Sequence, residues 1–260
     1  MIDPVAINIG PLAIRWYGLL IVGAIIIGAI IALREIRRQG LDEDMFLNTL
    51  LVAVPAAIIG ARLYYVIFNW SNYSQQPMEI IAIWHGGLAI HGGLIGALLA
   101  GGLMLRHYKQ NIWKVFDIAA PCLALGQAIG RWGNYFNQEA YGFVVDKAQI
   151  PWALWIDGAY RHPTFLYESL WDFALFIFLL WLRRRGGVKD GEIILSYFII
   201  YSVGRGIIEG FRTDSLMLGE LRVAQLISIV LLATAGALLV WRRRRLGVML
   251  YNQVADETKP

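Results

Sequence analysis

The sequence predicts an all-α, polytopic integral membrane protein of about seven transmembrane helices, and three observations carry that prediction. Of its 260 residues, 58% are hydrophobic and 16% charged, and the mean hydropathy is +0.54. A soluble domain of this length has too little interior to hide so much apolar surface. The apolar residues also gather in windows close to the roughly 20 residues that cross a bilayer. They fall at about 17–33, 47–68, 88–105, 113–130, 164–182, 191–208 and 221–241. Finally, the basic residues are divided unevenly between the connections. With the N-terminus outside, the inner segments hold Arg34, Arg37, Arg38, Arg106, Lys109, Lys114, Arg183 to Arg185, Lys189, Arg242 to Arg245 and Lys259. The outer segments hold only Arg15, Arg131, Lys147, Arg161, Arg205, Arg212 and Arg222, and Arg62 stays inside a span. An excess of Lys and Arg marks the cytoplasmic side, so the N-terminus is expected outside and the C-terminus cytoplasmic.

Each element follows from these windows. Together they use almost the whole chain, so a single transmembrane domain over 1–260 is expected. The longest non-apolar stretch, about 133–163, reads as a small external loop or head between spans four and five. The first apolar run lacks a basic leader and ends in Arg34, which fits a span better than a cleaved signal. The lone cysteine, Cys122, excludes an internal disulfide and offers no metal-ligand spacing. The net charge of +4 does not point to nucleic acid, because the basic residues sit in short clusters between apolar runs.

Charged residues that enter apolar runs need a reason, since an arginine at a helix centre costs roughly 2.5–3.5 kcal/mol on insertion scales. Under the predicted topology, Tyr17 opens span one, His91 lies in the first turn of span three and Arg131 closes span four. Glu168 lies in the first turns of span five, and Arg205 with Glu209 closes span six. All of them fall toward the outer leaflet. Any one reads equally well as an interfacial anchor or a locally paired charge; their convergence at one depth favours a site.

The segment Gly130-Arg131-Trp132-Gly133-Asn134-Tyr135-Phe136-Asn137-Gln138-Glu139 is the densest. An arginine fork holds a phosphate through two parallel hydrogen bonds, and Asn134 and Asn137 add neutral donors. Arg205, Glu209 and Arg212 are spaced i, i+4, i+7 and share one face if helical. In that arrangement Glu209 orients Arg205 toward the same anionic group. Two HGGL units, at His85 and His91, are six residues apart and cannot share a helix face. His91, in AIHGGLIG, is the better candidate, although its glycines also suit tight helix packing. His162-Pro163 opens span five, where Glu168 either pairs with an arginine or faces the helix dipole. Acyltransferase HxxxxD, GxSxG, P-loop and metal-ligand signatures are absent, so no metal or cofactor is expected.

These blocks resemble the bacterial prolipoprotein diacylglyceryl transferase family. GRWGNYFNQEAYG (130–142) is similar to that family's signature, and WYG (16–18), AIHGGLIG (89–96), HPTFLYES (162–169) and GRGIIEGFR (204–212) match its other blocks in order. Gly206 and Gly210 are smaller than the usual residues there. The resemblance implies a seven-span inner-membrane enzyme with its site toward the outer leaflet. Such an enzyme moves the diacylglyceryl group of phosphatidylglycerol to the lipobox cysteine in the signal peptide of a preprolipoprotein, releasing glycerol phosphate. It implies important positions at Tyr17, His91, Arg131, Asn134, Gly142, Arg205, Glu209 and Arg212, and the residues add Asn137, Glu139 and Glu168 as substrate contacts. Phosphatidylglycerol, the signal peptide and membrane lipids are then the expected partners. His91 is a candidate base for the attacking thiol, and a phosphate donor or a packing group fits it equally. A lipid or anion transporter using the arginine pair is the rival reading, but no inverted repeat supports it.

Overall fold

The computed structural model describes residues 3–10, 12–156, 158–245 and 247–252; Lys259, counted above on the inner side, lies outside the described residues. A short hairpin, β1 (Val5–Ile9) with β2 (Leu12–Arg15), leads into α1 (Trp16–Arg38). Gly40, at φ +66°, turns the chain after Arg37 and Arg38. Asp42 then caps α2 (Glu43–Phe68) by accepting from Asp44 N at 2.9 Å, with Glu43 and Asp44 on the positive end of the helix dipole. After α3 (Trp70–Tyr73) and two 3₁₀ turns come α4 (Ile90–His107) and α5 (Ile112–Asn137). The hairpin β3 (Leu154–Ile156) with β4 (Ala159–Arg161) precedes α6 (Thr164–Leu182) and α7 (Glu192–Ile208). A 3₁₀ turn, Glu209–Phe211, and the hairpin β5 (Met217–Leu218) with β6 (Leu221–Arg222) lead into α8 (Val223–Arg244).

Among the described residues six helices are long and apolar enough to cross a membrane: α1, α2, α5, α6, α7 with its 3₁₀ turn, and α8. The helix expected at 88–105 forms as α4 but is not among the six. Gly92, Gly93, Gly96, Gly101 and Gly102 dilute its apolar content, and Arg106 and His107 close it. A second difference lies at the end of α5. The apolar window closes near Gly130, yet helical hydrogen bonding continues to Asn137, so the segment outside regular helix begins at Gln138.

The chain groups into two compact units, one of residues up to Glu35 with those from Phe116 onward, the other Ile36–Val115. In the second unit α2 packs on α4 through small residues. A Cβ on Gly60 would stand 3.2 Å from the Cα of Gly96, and one on Gly92 would run into the backbone of Gly60 and the side chain of Tyr64. Backbones this close gain dispersion contact in a lipid phase that offers no hydrophobic drive. Arg62, 5% exposed, donates to the carbonyls of Ile80 (2.9 Å), Gly86 (2.6 Å), Gly87 (2.9 Å), Ala82 (3.3 Å) and Glu79, and lies over the Tyr73 ring. It ties the 79–87 segment to α2.

In the first unit α1 lies along α5. Trp16 stacks on Phe136 at 5.0 Å, Tyr17 lies on Gly133, and Cys122 Sγ donates to Gly28 O at 3.2 Å. Asp117 on α5, fully buried, accepts from Gly191 N (2.6 Å) and Ile194 N (2.8 Å), which caps α7 from a neighbouring helix. Tyr251, also fully buried, donates its hydroxyl to Glu35 at 2.9 Å. Burial, with the Glu35 charge behind it, raises the phenol above its ordinary value and keeps it a donor.

Candidate functional site

Glu168 stands in the second turn of α6, 4% exposed, and three arginines converge on it. Arg131, from α5, places Nε 2.7 Å from Oε2, an ion pair without the alignment of a hydrogen bond. Arg205, from the last turn of α7, donates from Nη1 to Oε1, and Arg212 donates to the same oxygen at 3.4 Å. Glu209, 2% exposed, sits between the last two, 2.7 Å from Arg205 Nη2 and 3.9 Å from Arg212 Nε. Removing several charges from water is favourable only when each finds opposite charge and hydrogen bonds. Glu168 and Glu209 go far toward meeting that demand for the three arginines.

The expected shared helical face holds for only half of the i, i+4, i+7 set. Arg205 and Glu209 pair across one turn, but α7 ends at Ile208, and Arg212 returns through the 3₁₀ turn in extended backbone. Two contacts fix that return. Asp214 takes both Nε (2.9 Å) and Nη2 (2.7 Å) of Arg212. Burial works to raise the Asp214 carboxyl, but the two hydrogen bonds and the charge of Arg212 outweigh it and hold the group below the ordinary aspartate value. Arg222, just before α8, donates from Nη1 to the carbonyls of Glu209 and Arg212 (3.1 Å) and to Ser215 Oγ (3.2 Å).

Arg131 and Arg205 each keep 19% of their side-chain surface, so both remain open to a ligand. The terminal nitrogens of Arg131 make no hydrogen bond to a described residue. Trp132 beside it donates to Ser169 Oγ at 3.1 Å, and Ser169 in turn donates to Ala128 O, which fixes α5 against α6.

The other expected site residues fall in separate groups. Asn134 and Asn137 both donate to Glu139 Oε1, at 3.0 and 3.1 Å, and Glu139 N returns to Asn134 O. This local knot holds the chain through the positive-φ residues Gln138 and Ala140. Gly142 donates from N to His162 O at 3.0 Å and bridges to Arg212; a Cβ there would stand 2.6 Å from His162 Cβ and 2.8 Å from Phe211 O. Only glycine fits between the two segments, which gives it a tie to Arg212. A Cβ on Gly133 would run into the Tyr17 ring, so that glycine seats Tyr17. His91 belongs to the second unit, exposed at the start of α4 with its ring 5.9 Å from that of Tyr64. His85 pairs with Glu79 at 2.8 Å, away from any shared helix with His91.

The model of the family described as prolipoprotein diacylglyceryl transferase matches residues 4–241. This chain belongs to that family. It is 50% identical over 254 residues to the phosphatidylglycerol–prolipoprotein diacylglyceryl transferase of Bacillus velezensis, covering 94% of this chain and 93% of the relative. The enzymes of the same name from Bacillus licheniformis (51% over 252 residues, 93% of each chain) and Geobacillus kaustophilus (50% over 254 residues, 94% of each chain) are similarly close.

Sequence reasoning missed the two residues that set Arg212. Asp214 and Arg222 lie in the connection to α8, where spacing carries no periodic signal, and the Arg222 hydrogen bonds run largely to backbone carbonyls. A third omission is Asp172, four residues after Glu168 and 2% exposed. A carboxylate inside an apolar run was its available signal.

Proposed function

We propose that this chain transfers the diacylglyceryl group of phosphatidylglycerol to the thiol of the lipobox cysteine of a preprolipoprotein, releasing glycerol phosphate. The observation that carries the reading is the convergence of Arg131, Arg205 and Arg212 on Glu168, with the terminal nitrogens of Arg131 left over. The names of the similar enzymes agree with it.

The reaction forms a sulfur–carbon bond at the terminal glyceryl carbon and breaks its bond to the phosphate oxygen. The electron pair of that bond leaves on the phosphate, so negative charge grows on the departing monoester. Arg131 and Arg205 stabilise that growing charge, and Glu168 and Glu209 hold the guanidinium planes in place before it appears. Arginine suits this task because its planar fork meets two phosphate oxygens at once. Arg212 raises the local positive charge from one side. Tyr17, Asn134, Asn137, Glu139 and Gly142 shape the walls and the chain path around Arg131. The thiol, with a pKa of about 8.5 unperturbed, must lose its proton to attack well. His91 is assigned that proton, and a His91 variant in the transfer assay tests the assignment.

In the same reading, α4 crosses the membrane as the seventh span and residues 1–260 form one transmembrane domain of the bacterial inner membrane. Its N-terminus is external and its C-terminus cytoplasmic, 133–163 forms an external head, and the site faces the outer leaflet. There a signal helix presents its cysteine beside the lipid headgroups. Reporters fused after Arg38, Lys109, Arg185 or Arg245 should read cytoplasmic, and those near Asn72, Lys147 or Ser215 external; a cytoplasmic signal at Lys147 contradicts the orientation. The reaction itself is tested with purified protein, phosphatidylglycerol and a lipobox peptide, scored by mass. A diacylglyceryl increment on the peptide cysteine supports the proposal, and an unmodified peptide with folded protein overturns it.

A further inference from the structure

Asp172 is a feature beside the arginine cluster that phosphate binding does not explain. Its carboxylate lies on α6 one turn beyond Glu168, on the same face, and is 2% exposed. The charges acting on it are those of Arg131, Glu168 and Arg205, and those groups also act on Tyr201 of α7. Its Oδ2 is fully enclosed and accepts no hydrogen bond, and neither oxygen is paired with a described residue. The Tyr201 ring stacks on Tyr197 at 5.7 Å, and Tyr197 spends its hydroxyl on Gln127 at 2.9 Å.

An anion beside an anion-binding cluster works against phosphate, and a buried acceptor without a donor is costly. Both facts are reconciled if the ligand carries its own donors. Arginine forks flanked by a free carboxylate complement a molecule with an anionic group and hydroxyls a few bonds away. The rise from Glu168 to Asp172 is about 6 Å, a reach suited to a phosphate and the hydroxyls of a short polyol joined to it.

We infer that Asp172 is a headgroup-specificity residue: it accepts a hydrogen bond from a glycerol hydroxyl of the phospholipid whose phosphate the arginines hold. This rests on the proposed reaction and names how one lipid is told from others with the same phosphodiester. A site that hydrogen-bonds a substrate hydroxyl rejects the analogue lacking it, because its polar group is then left unpaired.

The test compares phosphatidylglycerol with phosphatidylmethanol, which keeps the phosphodiester and lacks the hydroxyls. Transfer to a lipobox peptide is measured for the full-length wild type, Asp172→Leu and Asp172→Asn, each checked for thermal stability in detergent. The wild type should favour phosphatidylglycerol in kcat/KM by about tenfold or more, the scale of a hydrogen bond to a charged group. In Asp172→Leu that ratio should collapse toward one, and in Asp172→Asn, which keeps a neutral acceptor, it should fall partway. A wild type that uses both lipids equally overturns the inference without any variant. So does an unchanged preference in a folded variant, or an equal loss on both lipids, which marks a purely structural carboxylate. No transfer from either lipid by the wild type counts instead against the reaction itself, and the inference falls with it.

Discussion

Arg62 and Arg131 are both arginines inside membrane-crossing helices, and the protein treats them in opposite ways. Arg62 meets no carboxylate among the described residues; its guanidinium donates to five backbone carbonyls of the 79–87 segment and has little left to offer. Arg131 meets Glu168 by charge alone, and its terminal nitrogens make no hydrogen bond to a described residue. A cation saturated by fixed backbone is a strut. A cation held by a neighbouring charge, with donors to spare and 19% of its side chain exposed, is equipped for a ligand. Burial alone does not distinguish a structural arginine from a functional one; the count of unused donors does.

The largest break in this contrast should come at Glu168. Glu168→Leu removes the carboxylate that three arginines share, and removing one partner of a buried pair costs about 3–5 kcal/mol. Unfolding in detergent should shift accordingly, with transfer lost. A smaller effect is expected from Gly142→Ala, whose Cβ would push against Phe211 O and His162. A shift of the Arg212 segment by about 1 Å should lower turnover on the order of 10²-fold, with phosphatidylglycerol KM changing less than kcat.

Asp214→Asn should act more gently and through pH. The Asp214 carboxyl sits below its ordinary value, so its pairing stabilises the folded state at every pH above the unfolded value of about 3.9. That contribution disappears as pH falls through the lower, folded value. The variant should therefore be less stable than the wild type by a constant amount from about pH 5 to 8, and the two melting curves should meet in strong acid. Cys122→Ser should do least. Serine keeps a donor for Gly28 O, and the reacting thiol belongs to the peptide, so transfer should stay within about twofold and stability within about 1 kcal/mol. Loss of transfer by a folded Cys122→Ser protein would point to a covalent relay.

The helices were legible because hydropathy and helix length report the same property, the thickness of a bilayer. The end of α5 was not, because Gly133 and Asn134 lower hydropathy while backbone hydrogen bonding continues to Asn137. At the site, the residue types at 131, 168, 205, 209 and 212 pointed to an anion, but the hub did not show. That Glu168 gathers arginines from α5, α7 and the turn after α7 depends on how helix ends meet, and no local spacing encodes it. Asn134 and Asn137 carry the amide donors a phosphate would take, yet each places one on Glu139. The carbonyls around Arg62 were invisible for a related reason, since any sequence has carbonyls and only the fold aims them.

The most direct test sets the two kinds of arginine side by side. Purified Arg131→Lys, Arg205→Lys and Arg62→Lys proteins are assayed for diacylglyceryl transfer and for thermal unfolding. Lysine keeps the charge and snorkels as well as arginine, but it lacks the fork. Arg131→Lys and Arg205→Lys should lose a factor on the order of 10²–10³ in turnover, the scale for removing a preorganised charge stabiliser, while unfolding near the wild-type temperature. Arg62→Lys should reverse the pattern. Unmet carbonyls should lower its unfolding temperature by several degrees, about 2–4 °C for each kcal/mol in a chain of this size, with turnover per folded molecule far less affected. Near-wild-type transfer by both Arg131→Lys and Arg205→Lys would contradict the phosphate clamp.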